Sequence, residues 1–293
     1  MKLLIFFTFF AFFSQKSFSL SFPIFDSDAA SKALENPFFT ENYDFNGIVA
    51  LSNCSGSLVR FENSKDDDLA MVLTNGHCVS MMGPSNYYYQ RNSFRMFRIL
   101  DPGGATIGRV RATKLIYATM TTTDIGLYQL KKTYSEIESD YQASPLTLSS
   151  KDPLLGDPIE IISGYWVRGY SCSIEHFAYQ LKEAGYIMNG SMRYSRPGCE
   201  VIGGTSGSPA IAKDSRIQIG INNTGNESGR ECSMNNPCEI DEQGNITYEK
   251  GWSYAQRTTP IYSCLNESGV FDLNTNGCLL PGARAYEEKV VSH

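Results

Sequence analysis

A histidine, an aspartate and a serine in this chain each sit where a strand-like run meets a turn. His77 follows the apolar Val72-Leu73 in Thr74-Asn75-Gly76-His77-Cys78. Asp124 opens the β-type run Ile125-Gly126-Leu127-Tyr128-Gln129-Leu130. Ser206 lies in Gly203-Gly204-Thr205-Ser206-Gly207-Ser208-Pro209-Ala210. An imidazole can accept the proton of a hydroxyl, and a carboxylate at its far nitrogen fixes the tautomer and stabilises the imidazolium that forms. Glycines on both sides of a serine allow a tight turn that bares its hydroxyl to attack a carbonyl. The same turn can aim the backbone N–H groups of Gly204 and Ser206 at one point, where they stabilise the oxygen of a tetrahedral intermediate. Taken singly, each residue has a plainer reading: a surface histidine, a turn aspartate, a Gly/Ser loop. Their order argues against it. His77 and Asp124 fall in one β-rich half and Ser206 in another, so the junction of two halves would unite them.

Those halves are written in short strand-like runs. The first holds Gly47–Ser52, Ser57–Phe61, Ala70–Thr74, Phe94–Leu100, Ile107–Ala112 and Ile125–Leu130; Asp101-Pro102-Gly103-Gly104 is a turn. The second holds Pro158–Ser163, Ser173–Gln180, Gly185–Met192, Pro209–Ala212, Ile217–Asn222 and Trp252–Thr259. Between them Lys131 to Gly156 is polar and broken by Pro145 and Pro153, with Thr133–Tyr141 the best short helix. Runs at this spacing predict an all-β chain built as two packed barrels. Cys54 precedes the second run, and a bond from it to Cys78 would clamp the backbone beside His77.

The chain of 293 residues is 42% hydrophobic, enough for one large domain or two small ones. Its net charge of −6 and lack of a basic block argue against nucleic-acid binding. Residues 1–19 read as a signal peptide: Lys2, the apolar Leu3 to Phe13, then small Ser17 and Ser19. Residues 20–45 read as an N-terminal arm or propeptide. Removal of the signal would leave no membrane segment, and export implies an extracellular or periplasmic protein. Eight cysteines suit that oxidising compartment. Without a CxxC pair, and with three histidines, a zinc site is not expected. Asp66-Asp67-Asp68 reads as a solvated loop, since a calcium site needs more oxygen ligands than one run supplies. His176 reads as a strand surface residue and His293 is terminal.

In sequence the segments Cys54-Ser55-Gly56-Ser57-Leu58-Val59, Thr74 to Cys78, Asp124 to Leu127 and Gly204-Thr205-Ser206-Gly207-Ser208-Pro209 resemble the successive signatures of trypsin-like serine peptidases. The resemblance runs from about Asn46 to about Thr259. It implies two packed six-stranded antiparallel β-barrels with the active site between them. On this reading a peptidase domain spans 46–270, with barrels at about 46–135 and 152–270 and a C-terminal tail at 271–293. The resemblance carries nucleophile onto Ser206, general base onto His77, the orienting carboxylate onto Asp124 and the oxyanion donors onto Gly204 and Ser206. It implies a secreted monomeric endopeptidase that acts on proteins or peptides and needs no cofactor or metal. Glu200, six residues before Ser206, falls where it places the floor of the specificity pocket. Thr205 stands where the commonest members carry an aspartate, as in bacterial and glutamyl-endopeptidase-like branches; it leaves no carboxylate for a newly cut N-terminus. Proximity pairs Cys172 with Cys199, Cys232 with Cys238, and Cys264 with Cys278. An esterase on another fold and a non-catalytic binding protein on this fold are the rival readings. In the hydrolase elbow G-x-S-x-G the serine comes first of the triad, whereas here it comes last.

Overall fold

Runs of β-branched and aromatic residues, cut by Gly, Pro, Asn and Asp, pair here as antiparallel strands. The computed structural model describes residues 43–284 and 286; the signal segment, most of the N-terminal arm and His293 lie outside them. The first half contains β1 (Ile48–Ala50), β2 (Ser55–Arg60), β3 (Leu69–Thr74), the one-turn helix α1 (Gly76–Val79), β4 (Tyr87–Asn92), β5 (Met96–Leu100), β6 (Thr106–Thr119) and β7 (Ile125–Thr133). The strands run β1-β5-β6-β7-β3-β2 and close on themselves, because β1 pairs with both β5 and β2. Helix α2 (Tyr134–Tyr141) follows, started by a capping box. The Glu136 N–H donates to Thr133 Oγ1, and the Thr133 N–H donates to Glu136 Oε2.

The second half contains β8 (Leu146–Leu148), β9 (Pro158–Ser163), β10 (Arg168–Glu183), β11 (Tyr186–Tyr194), β12 (Pro209–Ala212), β13 (Ile217–Gly225), β14 (Cys238–Ile240), β15 (Ile246–Thr247) and β16 (Ser253–Arg257). Here β13-β12-β9-β10-β11-β16 also closes, through the β13–β16 pairing. Strand β8 lies in the connector and pairs in parallel with β2 of one barrel and β13 of the other. It joins both barrels into one continuous sheet.

Side-chain alternation fills both faces of the first barrel. Ala70 and Val72 of β3, with Tyr128 and Leu130 of β7, enter the interior beside Val49, Leu58 and Phe97. Met71, Leu73, Ile125 and Leu127 point to the other face, where Ile261, Phe271, Leu273 and Leu280 cover them. Residues 271–284 are therefore not a loose tail. They are the outer wall of the first barrel, tied by the Tyr117 hydroxyl to the Pro281 carbonyl at 2.9 Å and by the Cys264–Cys278 disulfide. Burial of Phe271, Leu273 and Leu280 offsets part of the entropy of ordering this segment, at about 1.5–3 kcal/mol per side chain.

The structure also contains the Cys54–Cys78, Cys172–Cys199 and Cys232–Cys238 disulfides. Cys54–Cys78 closes a separation of 24 residues. Replacing both cysteines with alanine is expected to remove about 3 kcal/mol of stability, read as a lower urea midpoint. An unchanged midpoint would show that this bond constrains nothing.

Candidate active site

Strand β3 is buried up to Thr74 and delivers the chain into α1, which carries His77. A side chain at Gly76 would meet the Thr119 carbonyl at 2.0 Å and Asp124 Oδ1 at 3.0 Å, so only glycine lets this turn sit against Asp124. The two residues then meet twice. The His77 backbone N–H donates to Asp124 Oδ1 at 3.0 Å, and ring Nδ1 lies 2.6 Å from Asp124 Oδ2. With Nδ1 donating to the carboxylate, the neutral ring keeps Nε2 as its acceptor. Asn75 Nδ2 donates to the Asp124 carbonyl at 2.9 Å and fixes the far side of the pair. Asp124 is buried, whereas the His77 ring keeps 24% of its surface exposed. Burial works against the imidazolium, but the charge and hydrogen bond of Asp124, with the charge of Glu183, outweigh it and hold the His77 pKa above its ordinary value.

Ser206 follows a four-residue turn. The Thr205 N–H donates to the Ile202 carbonyl at 3.0 Å, and Gly204 has φ +88, a conformation that favours glycine. The Thr205 hydroxyl accepts from the Ile202 N–H at 3.0 Å and also bonds the Ile202 carbonyl. Beyond the serine, Gly207 at φ +81 passes so close to the first barrel that a Cβ would lie 2.1 Å from the Ser55 carbonyl. The Ser55 N–H donates to the Ser206 carbonyl at 2.8 Å, and the Gly207 N–H to the Asn222 carbonyl at 2.9 Å. Among the described residues, the N–H groups of Gly204 and Ser206 themselves have no hydrogen-bond acceptor. Two unpaired donors flanking Thr205 are what a developing oxyanion requires.

The family model of the trypsin-like peptidase domain matches residues 54–221, which include His77, Asp124, Gly204 and Ser206. The chain belongs to the trypsin-like peptidase family. Solved structures with a similar fold include the Rv3671c protease from M. tuberculosis in its active form, with 12% identity, TM-score 0.47 and coverage of 81% of this chain and 87% of that one. Another is the MamO protease domain from Magnetospirillum magneticum, with 13% identity, TM-score 0.45 and coverage of 76% and 97%. A third is a glutamic acid specific serine protease that uses a histidine triad in substrate binding, with 17% identity, TM-score 0.40 and coverage of 73% and 92%. No curated protein matches the chain.

In this trypsin-like peptidase the His77–Asp124 pair is formed, but the Ser206 hydroxyl donates to the Asn223 carbonyl at 3.3 Å and not to His77. Glu200 is exposed, with no hydrogen bond or ion pair among the described residues, beside Cys199 of the Cys172–Cys199 bridge. A carboxylate in that setting attracts cations weakly. His176 lies on β10 with its ring half exposed, 3.6 Å from Glu239. Cys54, His77 and Cys78 cluster closely enough for a metal, but their two sulfurs are bonded to each other. Sequence reading passes over Glu183, a buried residue at the end of β10. Its Oε1 accepts from the Asn235 N–H at 2.7 Å; burial pushes its carboxyl up, against the pull of that bond and of His77. A charged residue closing a strand before Ala184-Gly185 carries no sequence signal that it turns inward.

Asp124→Asn removes the charge that raises the His77 pKa and leaves burial, which lowers it. NMR titration is expected to show a lower imidazole pKa, together with turnover reduced by about four orders of magnitude. An unchanged imidazole pKa would rule out the coupling described here.

Proposed function

We propose that this chain is a secreted serine endopeptidase that cleaves proteins or peptides through an acyl-enzyme. The observation that carries the reading is the 2.6 Å contact of His77 with buried Asp124, in the same family domain as Ser206 and the two unpaired N–H groups. In the first step His77 Nε2 takes the Ser206 proton while the oxygen attacks the scissile carbonyl. The Gly204 and Ser206 N–H groups stabilise the tetrahedral oxyanion. Collapse expels the amine, which takes the proton from His77, and leaves an ester on Ser206. Water then repeats the sequence with His77 as base, releasing the acid and the free serine. Asp124 stays ionised and stabilises each imidazolium. The Ser206 hydroxyl must first turn from Asn223 to His77, a rotation about one side-chain bond, and such bonds commonly tighten when substrate binds. Four disulfides support an oxidising destination. Thr205 is fully buried and its hydroxyl is already partnered by Ile202, so a new N-terminal ammonium has no charge to meet there.

The bond from Ser206 to Asn223 favours one alternative, a binding protein on the same fold whose serine is idle. Purified protein incubated with casein separates the two. Ser206→Ala is expected to lower turnover on the order of a millionfold and to abolish labelling by a fluorophosphonate. Equal activity in parent and variant would remove Ser206 as nucleophile, and an inert parent would leave the binding role.

The pH profile is the second check. Neutral His77 is the active form, and its pKa lies above the ordinary 6.5. The rate is therefore expected to fall about tenfold per pH unit below that raised value and to level off above it. A flat profile down to about pH 4 in folded protein would exclude His77 as base.

A further inference from the structure

The turn that prepares the oxyanion site has a built-in ambiguity. Ile202 to Thr205 is closed by the Thr205 N–H on the Ile202 carbonyl at 3.0 Å, and φ +88 at Gly204 makes it type II. Rotating the peptide between Gly203 and Gly204 by half a turn gives type I with the same closing bond. Two adjacent glycines permit both forms. In the second form the Gly203 carbonyl takes the side now held by the Gly204 N–H, and an oxygen faces the place where an oxyanion must form. Thr205 cannot decide between them, since its hydroxyl bonds Ile202 and not the rotating peptide.

Trp166 can decide. Its indole Nε1 donates to the Gly203 carbonyl at 2.8 Å. The peptide is planar and trans, so a carbonyl held on the indole side sends the Gly204 N–H to the opposite side. The ring also presses on the turn: a Cβ at Gly204 would lie 2.8 Å from Nε1 and 3.3 Å from Cε2. Trp166 is itself anchored in the β9–β10 turn. Its backbone N–H donates to Ser163 Oγ at 3.3 Å, and the Tyr165 N–H donates to Ser55 Oγ at 3.1 Å. Those two hydroxyls, both fully buried, bond each other at 3.0 Å, and the Tyr165 ring meets the indole edge to face at 4.9 Å. Ser55 in turn holds the Ser206 carbonyl through its N–H at 2.8 Å. A continuous path of hydrogen bonds therefore runs from the carbonyl of Ser206 to that of Gly203.

We infer that Trp166 is a positioning residue for the oxyanion site, its indole N–H selecting the orientation of the Gly203–Gly204 peptide that leaves the Gly204 N–H free. The inference rests on the proposed peptidase reading. Trp166 touches neither the nucleophile nor the base, so its removal acts on the fraction of molecules with a competent turn. One neutral hydrogen bond shifts such an equilibrium by about tenfold.

The test compares the parent with Trp166→Phe and with a protein carrying benzothienylalanine at position 166, which keeps the bicyclic shape and replaces the N–H with sulfur. The probes are a casein-derived peptide that the parent cleaves, the aldehyde ending at its cleaved residue, and the corresponding primary alcohol. The expected result is a fall in kcat of between about twofold and tenfold with KM nearly unchanged, and a matching loss of affinity for the aldehyde, whose hemiacetal oxygen needs both N–H groups. Affinity for the alcohol, which cannot form a hemiacetal, should stay at the parental value. If Trp166→Phe unfolds, the benzothienylalanine protein decides. Parental kcat and aldehyde affinity in the folded variant would overturn the inference and leave the peptidase reading standing. Equal losses for aldehyde and alcohol would also overturn it, since they report general damage to the cleft. A parent without Ser206-dependent hydrolysis would overturn the peptidase reading and this inference together.

Discussion

The backbone of Ser55 meets the backbone of Ser206 across the junction of the barrels, and the rest of the site is built around that contact. The Ser55 N–H holds the Ser206 carbonyl, the Thr74 hydroxyl holds the Ser55 carbonyl at 2.7 Å, and Gly207 leaves room for both. Thr74 leads directly into the turn that carries His77. One short seam thus sets the position of the nucleophile's backbone relative to that of the imidazole. The seam is buried, polar and satisfied, so small displacements would strand donors without water and are resisted. Ser57 Oγ donating to Gln218 Oε1 at 2.7 Å adds a second buried link between the same halves.

Asp124 imposes the second constraint. A buried carboxylate is costly unless its oxygens are occupied. Here the His77 ring and the His77 backbone take one oxygen each. The requirement that stabilises the charge also orients the ring. Glu183 places another buried carboxyl within electrostatic reach of the same imidazole, from the opposite barrel.

Much of this is legible from residue types. Pro158–Ser163 and Pro209–Ala212 read as strands because each is a short apolar run with a proline at its start, and both are found with those bounds. His77, Asp124 and Ser206 stand out because each sits where a strand-like run meets a turn and they come in that order along the chain. Strand β4 is not legible: Tyr87–Asn92 is largely exposed and polar, and only pairing with β6 makes it a strand. Strand β8 is hidden for a related reason, since three residues between prolines become a strand only by bridging two barrels. Trp166 and Glu183 act through partners more than thirty residues away, Gly203 for one and Asn235 for the other. No local pattern encodes such contacts. The segment from 271 reads as a tail because its apolar residues are spaced irregularly among Asn and Gly, yet Phe271, Leu273 and Leu280 find the outer face of the first barrel.

That last arrangement governs when the molecule can mature during synthesis. A ribosome delivers the chain from its N-terminus, and domains generally fold as they emerge. The strands of the first barrel are made early, but the residues that cover Leu73, Ile125 and Leu127 follow the strands of both barrels. Until Phe271, Leu273 and Leu280 arrive, an apolar wall next to the His77 and Asp124 strands faces water. The histidine-bearing half therefore stays incomplete until the segment at 271–280 has joined it. Completion of the first barrel thus waits on residues that lie beyond the second barrel in the chain.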